Sequence, residues 1–251
     1  MSYLASNIPA PKHYFFDRHG GVSIGKYASL NASLLSLDAQ ENIYKNLELT
    51  AQHFNNSLNN INILIQGTTN QAVYIDTPSL FSITADGAVT NIPDIILTLR
   101  TADCAPILFY DQQNQVIGVA HAGWRGALYG IIENTLDLMC HHGAETKYIA
   151  AAIGPCLQKQ SFECQKDMRD EFLNHDKSYQ NFFTTKDEKH WLFDAENFCI
   201  YRLQEYGIQN ISASHINTYT DADYFSYRRN CHQNLISAPK DYPSHLSTIV
   251  L

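Results

Sequence analysis

Residues 115–128 read Gln-Val-Ile-Gly-Val-Ala-His-Ala-Gly-Trp-Arg-Gly-Ala-Leu. Gln115 to Ala120 has the look of a strand that ends at His121. From Ala127 to His141, Leu128, Ile131, Ile132, Leu136 and Met139 make the apolar stripe of a helix that Gly143 terminates. A histidine leaving a strand, followed by glycines and a helix start, stands where α/β sites usually open. Free backbone N–H groups there favour an anion, and Arg125 strengthens the effect. The plain alternative is a structural histidine in a Gly-rich turn.

The same reading extends outward. Asp38 to Phe54 reads as a helix capped by Asp38, with Glu41 three residues later as in a capping box. Ile61 to Ile65, Ile95 to Leu99, Pro106 to Tyr110 and Tyr148 to Ile153 read as strands. Asp194 caps a helix that Gly207 ends, and Ile211 to Tyr219 reads as a late strand. Strands and helices interleave without a strict βαβ repeat. The expectation is an α+β fold, a single domain with a mixed β-sheet flanked by helices. Residues 1–12 read as a flexible N-terminal arm ahead of a domain over 13–251.

The 251 residues, 45% hydrophobic and 17% charged, suffice for one sizeable core. A formal net charge of -8 argues against nucleic acid as the main partner, but leaves a small anionic substrate open to a few local arginines. No secretory signal and no apolar run of the ~20 residues that span a bilayer is present, so a cytoplasmic location without membrane partners is expected. The six cysteines read as reduced thiols, since a chain of this length needs no disulfide staples.

Three further segments carry chemistry-bearing residues. Thr101-Ala102-Asp103-Cys104-Ala105-Pro106 sets a thiol beside a carboxylate in a turn between strands. Gly154-Pro155-Cys156 is followed by Ser161-Phe162-Glu163, where Glu163 is either a general acid–base or a solvated carboxylate. Tyr224-Phe225-Ser226-Tyr227-Arg228-Arg229 offers aromatics and paired arginines that stack a base and hold a phosphate, or lie solvated on a surface. Cys104 and His121 are both zinc-ligand types, although their spacing is not that of a zinc finger.

Taken together, TADCAPILFYD, GVAHAGWRG, AAIGPC with SFE, and YFSYRR resemble the YfiH-like, laccase-domain purine nucleoside phosphorylase family. So does the N-terminal block Arg18-His19-Gly20-Gly21-Val22-Ser23 with Tyr27-Ala28-Ser29-Leu30-Asn31. The likeness runs from about Phe15 to Arg229. That family, first labelled a multicopper polyphenol oxidase, is associated with zinc-dependent phosphorolysis of adenosine, inosine, guanosine and methylthioadenosine, and with adenosine deamination. Its centre is a His, a Cys and a second His around one metal. The resemblance implies Cys104 and His121 as catalytic metal ligands, zinc or copper as the ion, and Asp103 as an orienting residue behind them. It also implies Arg125, Asn31, Glu163 and Arg228 as contacts to a purine nucleoside and phosphate.

The first family histidine is missing. Leu64-Ile65-Gln66-Gly67-Thr68 stands where relatives carry Gln-Val-His-Gly-Thr, so Gln66 is a weak third ligand, an amide being poorer than imidazole. Asn217-Thr218 replaces a Cys-Thr, Asn46-Leu47 an Asn-Arg, and the tail after Asn230 diverges. Phosphorolysis asks mainly for a positioned anion and a stabilised leaving purine. Deamination asks for an activated water at C6, a task zinc performs in other deaminases. Two other readings stand beside these: a non-catalytic or peptidoglycan-editing member of the family, and a copper oxidase. The sequence has no His-x-His pair for the latter.

Overall fold

A computed structural model describes residues 2–9 and 12–251. In chain order it contains β1 (His13–Phe15), α1 (Gln40–Gln52), β2 (Ile61–Ile65), β3 (Ala72–Tyr74), β4 (Leu80–Thr84), β5 (Gly87–Thr90), β6 (Ile96–Thr101), β7 (Ala105–Asp111) and β8 (Val116–Ala122). Then come α2 (Trp124–Leu128), α3 (Ile131–His141), β9 (Ile149–Ile153), β10 (Glu163–Gln165), α4 (Lys166–His175), β11 (Phe183–Thr185) and β12 (His190–Phe193). The chain closes with α5 (Ala195–Tyr206), β13 (Asn210–Ala213), α6 (Tyr227–His232) and β14 (His245–Ile249).

The architecture is α+β in one domain, and its strands divide between two mixed sheets. One has the order β1-β14-β6-β2-β4 and the other β13-β9-β7-β8-β5-β3; β10, β12 and β11 make a small third sheet. The two large sheets pack face to face because their central strands are apolar on both sides. Along β7, Leu108 and Tyr110 join Leu97 and Leu99 of β6 in the core between the sheets. Ile107 and Phe109 face the other way, towards Ile132 and Leu136 of α3 and Leu203 of α5. On the far side of the five-stranded sheet, Ile43 and Leu47 of α1 cover Ile61, Ile63 and Ile96. The result is four layers, each strand's period-2 alternation feeding two cores. Among the described residues no helix is long and apolar enough to cross a membrane.

Several local readings change. The helix expected over 127–141 is broken: α2 ends at Leu128, and Gly130 adopts a left-handed φ of 96° before α3 starts. The break persists because side chains take the freed carbonyls. Arg202 donates to Ala127 O and Leu128 O at 3.0 and 3.1 Å, and Asn70 donates to Tyr129 O at 2.9 Å. Asp38 does not cap α1, which starts after Ala39; Asp38 instead accepts from Asn31 and Asn42 side chains. The strand expected over 211–219 ends at Ala213, where His215 turns to φ 55° and donates its backbone N–H to Glu196.

Residues 3–8 of the expected N-terminal arm are docked rather than loose. Tyr3 exchanges backbone hydrogen bonds with Phe15, Ala5 N donates to His13 Nε2 at 2.8 Å, and Ala5 and Ile8 are buried in the intersheet core. Met1, Ala10 and Pro11 of that arm lie outside the described residues.

Phe15 also closes the interface between the sheets at the site end. A Cβ at Gly154 would stand 2.1 Å from its ring and 2.9 Å from Pro106 Cγ. Phe15 is fully buried and has nowhere to move. Gly154→Ala is therefore expected to destabilise the fold by about 1–3 kcal/mol through overpacking. Thermal or urea denaturation measures it, and an unchanged midpoint would show that the two sheets slide apart freely.

Candidate functional site

Three strand ends in the six-stranded sheet assemble the centre. β7 and β8 form an antiparallel pair in which Pro106 faces His121 and Ala105 faces Ala122. One step further along this register, Cys104 lies beside Gly123, and a Cβ built there would be 3.4 Å from Cys104 Sγ and 3.7 Å from His121 Cε1. The 17-residue spacing between Cys104 and His121, uninformative in the sequence, is thus the span of a hairpin. On the other flank β5 pairs with β8, Gly87 opposite Ala120, and His121 N donates to Asp86 O at 2.7 Å.

Asp86 is the residue the sequence reading missed. Fully buried, its carboxylate accepts from His121 Nδ1 at 2.7 Å. It also accepts from the backbone N–H groups of Gly67, Thr68 and Thr69 and from Thr69 Oγ1. Burial pushes its pKa up, but the bonds from His121 and Thr69 outweigh that and hold it below the usual carboxylate value. With Nδ1 engaged, the imidazole turns its other nitrogen to Cys104. Burial opposes charge on the ring, yet Cys104 and Asp86 beside it raise the His121 pKa to about 9. The only sequence signal for Asp86 was a lone acid between small residues, Ala85 and Gly87.

Gln66 reaches the same place from the other sheet, and its amide is spoken for. Nε2 donates to Arg100 O at 2.8 Å, and Oε1 accepts from Arg100 N at 2.9 Å. Among the described residues no group of three or more His, Cys, Asp and Glu is arranged to hold a metal ion. The donor set is a thiol, an imidazole and an amide already bonded to backbone. That does not fit a zinc ion held by three protein ligands.

Cys104 and Ala102 form a wall common to two cavities. The larger, about 410 Å³, is lined by Trp124, Phe162, Phe193, Phe198 and Tyr227, with Glu163 and Arg228. The smaller, about 160 Å³, is polar and contains Gln66, His121, Arg100 and Lys240. Arg228 donates to Ser161 O and Glu163 O, and Glu163 pairs with Lys186. Arg229, by contrast, is consumed by the carbonyls of Thr218, Tyr219, Asp221 and Tyr224.

Three of the expected residues are placed as follows. Arg125 is exposed, stacks 4.1 Å from the Trp124 ring centroid, and lines neither cavity, so it is not placed to hold an anion there. The helix it belongs to is a single short turn. Asn31 is fully buried and contacts no cavity; its Oδ1 accepts from Ser33 N and Ser244 N, fixing two residues that line the smaller one. Asp103 acts through the turn that carries Cys104. Its oxygens accept from Thr218 Oγ1 at 2.7 Å and Arg228 N at 2.6 Å, pinning the turn that presents Cys104. Cys156 is fully buried, and its thiol pKa is raised by that burial.

A family model, multi-copper polyphenol oxidoreductase laccase, matches residues 12–234. Over 222 residues the chain is 33% identical to a purine nucleoside phosphorylase of Rickettsia prowazekii, covering 88% of this chain and 89% of that one. It is 29% identical over 214 residues to purine nucleoside phosphorylase YfiH of Escherichia coli, covering 84% and 86%. Among solved structures, the hypothetical protein YfiH of Bacillus licheniformis superposes with a TM-score of 0.87 at 25% identity, over 95% of this chain and 92% of that one. A Neisseria meningitidis protein superposes with a TM-score of 0.86 at 26% identity, over 100% and 98%.

The Asp86–His121 pair sets a pH dependence. A histidine whose folded pKa is raised from 6.5 to about 9 contributes stability that is complete below 6.5 and lost as pH climbs through about 9. Asp86→Asn should destabilise the protein by about 3 kcal/mol at pH 7, since it strips a buried charge from its donors. The loss should shrink above pH 9, and the His121 ring should titrate at a lower pH. NMR titration of the ring with thermal melts across that range tests this; an unmoved ring pKa would remove Asp86 from the account.

Proposed function

Because the chain belongs to the multi-copper polyphenol oxidoreductase laccase family, and its relatives include proteins named purine nucleoside phosphorylase, we propose that it cleaves purine nucleosides with phosphate. The observation that carries this reading is the position of Cys104 on the wall common to an apolar, aromatic-lined cavity and a polar, cationic one. Aromatic rings suit a purine face. A polar cavity suits the sugar and the attacking anion. In phosphorolysis a phosphate oxygen forms the bond to C1′ while the C1′–N9 bond breaks. The electron pair leaves with the purine, which takes up a proton. With no metal at the junction, His121, whose pKa is raised by Cys104 and Asp86 beside it, is the proton donor. Arg228 and Glu163 border the purine cavity, where polar edges of the base are within their compass.

Zinc, in this reading, is held weakly by Cys104 and His121 or is absent, because Gln66 is a poor third ligand. Inosine, guanosine, adenosine and methylthioadenosine are the candidate substrates. Adenosine deamination, which the resemblance couples to the metal, is the activity most exposed to the loss of the first histidine. Gln66 also favours a second reading, a purine-binding protein without turnover.

A nucleoside panel with phosphate, read by mass spectrometry on protein of known metal content, separates the two. Cys104→Ala should abolish phosphorolysis while leaving the melting temperature nearly unchanged; full inosine or adenosine turnover by that folded variant would sink the assignment. The other five cysteines should tolerate replacement with smaller effects.

Equilibrium dialysis should find the unmodified protein below one zinc per chain, and Gln66→His should raise zinc affinity by about a hundredfold or more, a direct metal–ligand bond being worth several kcal/mol. Tight one-to-one zinc in the unmodified protein would show that Gln66 or another residue completes the site.

A further inference from the structure

The smaller cavity has the composition of an anion site. Its lining includes two cations, Arg100 and Lys240, and no carboxylate. That is unexpected in a chain with 25 acidic against 17 basic residues. Arg100 is largely buried, and burial lowers its pKa to about 10. Its Nε is buried without a hydrogen-bond partner, its Nη2 makes only a 3.4 Å contact to Leu64 O, and its carbon centre lies 5.1 Å from the Phe81 ring centroid. Among the described residues no acid pairs with it. Ser244 Oγ, on the same lining, is likewise buried without a partner. Buried donors left without a partner cost stability, and the residues that carry both belong to the cavity lining.

The cavity is also built to hold these groups still. The Arg100 backbone is clasped on both sides by the Gln66 amide. Lys240 precedes the buried Asp241, which accepts from Lys26 Nζ, Tyr27 OH and Leu37 N at 2.5, 2.5 and 2.9 Å. Ser244 N and Ser33 N are both fixed by Asn31.

We propose that the cavity bounded by Arg100, Lys240, Ser244 and Cys104 is the phosphate subsite, with Arg100 as its buried guanidinium anchor and Lys240 as its exposed outer cation. The assignment rests on the phosphorolytic reading for its role in turnover, although not for the binding itself. Guanidinium and ammonium groups take phosphate oxygens by charge-assisted hydrogen bonds. An anion held there meets, at Cys104, a nucleoside whose base fills the aromatic cavity. The same chemistry would accept free orthophosphate or the phosphate of a nucleotide; the proposal commits to orthophosphate, the co-substrate.

The experiment titrates inorganic phosphate into the protein by phosphorus-31 NMR, without nucleoside, and separately titrates adenosine 5′-monophosphate. Arg100→Gln and Lys240→Ala should each weaken orthophosphate binding by about tenfold or more, the usual scale for a charged hydrogen bond. Arg100→Lys should recover part of the loss. Lys240 is exposed, so its variant keeps the test valid if Arg100→Gln fails to fold. In turnover assays the phosphate KM should rise while the inosine KM stays near its original value. Unchanged orthophosphate affinity in a folded Arg100→Gln or Lys240→Ala protein overturns the proposal, as does loss of nucleotide binding alone. Phosphate binding that depends on both residues in a protein that turns over no nucleoside upholds the subsite and rejects the phosphorolytic reading. Turnover with a phosphate KM indifferent to both residues does the reverse.

Discussion

The carboxylate of Asp86 is the constraint on which the site depends. It sits fully buried just before a strand, and among the described residues no lysine or arginine is hydrogen-bonded to it; its charge is met by three backbone N–H groups, a threonine hydroxyl and the His121 ring. A buried charge is tolerated only when so fully bonded. In meeting that requirement the chain folds the Gln66–Thr69 loop, which follows β2 of one sheet, onto the other sheet. It also leaves His121 a single orientation, with one nitrogen held and the other presented to Cys104.

The turn carrying Cys104 is where the chain passes from the five-stranded to the six-stranded sheet, between β6 and β7. Asp103 holds that turn at φ 90°, and its two oxygens tie it to Thr218 and to the backbone of Arg228. A non-glycine residue in this conformation persists only where its surroundings compensate the strain. Here the compensation comes from more than a hundred residues further along the chain. The same contacts bring Arg228 and Tyr227 to the rim of the aromatic cavity, so one carboxylate couples placement of the thiol to the shape of that cavity.

Gln66 stands where the resemblance places a histidine, and its amide has a different task. An imidazole there would present a nitrogen to a metal; the amide instead makes a two-point bond with the Arg100 backbone. Positive charge at this centre then comes from fixed side chains, Arg100 and Lys240, as well as from the His121 ring. A negatively charged protein thus keeps a local cationic cavity, the field inside a narrow pocket being set by its nearest charges more than by the net charge.

Much of this was legible in the chain itself. Residues 61–65, 106–110 and 115–120 read as strands because they are short, apolar and bounded by turn formers, and the helix from Asp194 to Gly207 was marked at both ends by its caps. Cys104 and His121 stood out because their residue types carry chemistry and their flanks carry a family pattern. Other features had no local signature. That helix 127–141 breaks at Tyr129 depends on Arg202, which accepts the role of partner to carbonyls far from it in sequence. That Arg125 turns away follows from Trp124 offering its ring, and that Asp103 acts through the turn bearing Cys104 follows from Thr218 and Arg228 arriving beside it. Asp86 was invisible because a lone acid before a strand means nothing until β5 pairs with β8. Amino-acid type and periodicity determined which elements form and which side chains have reactive chemistry. Only the tertiary structure decided which of them face one another, because hydrogen bonds and buried charges are satisfied across distances that sequence spacing does not encode.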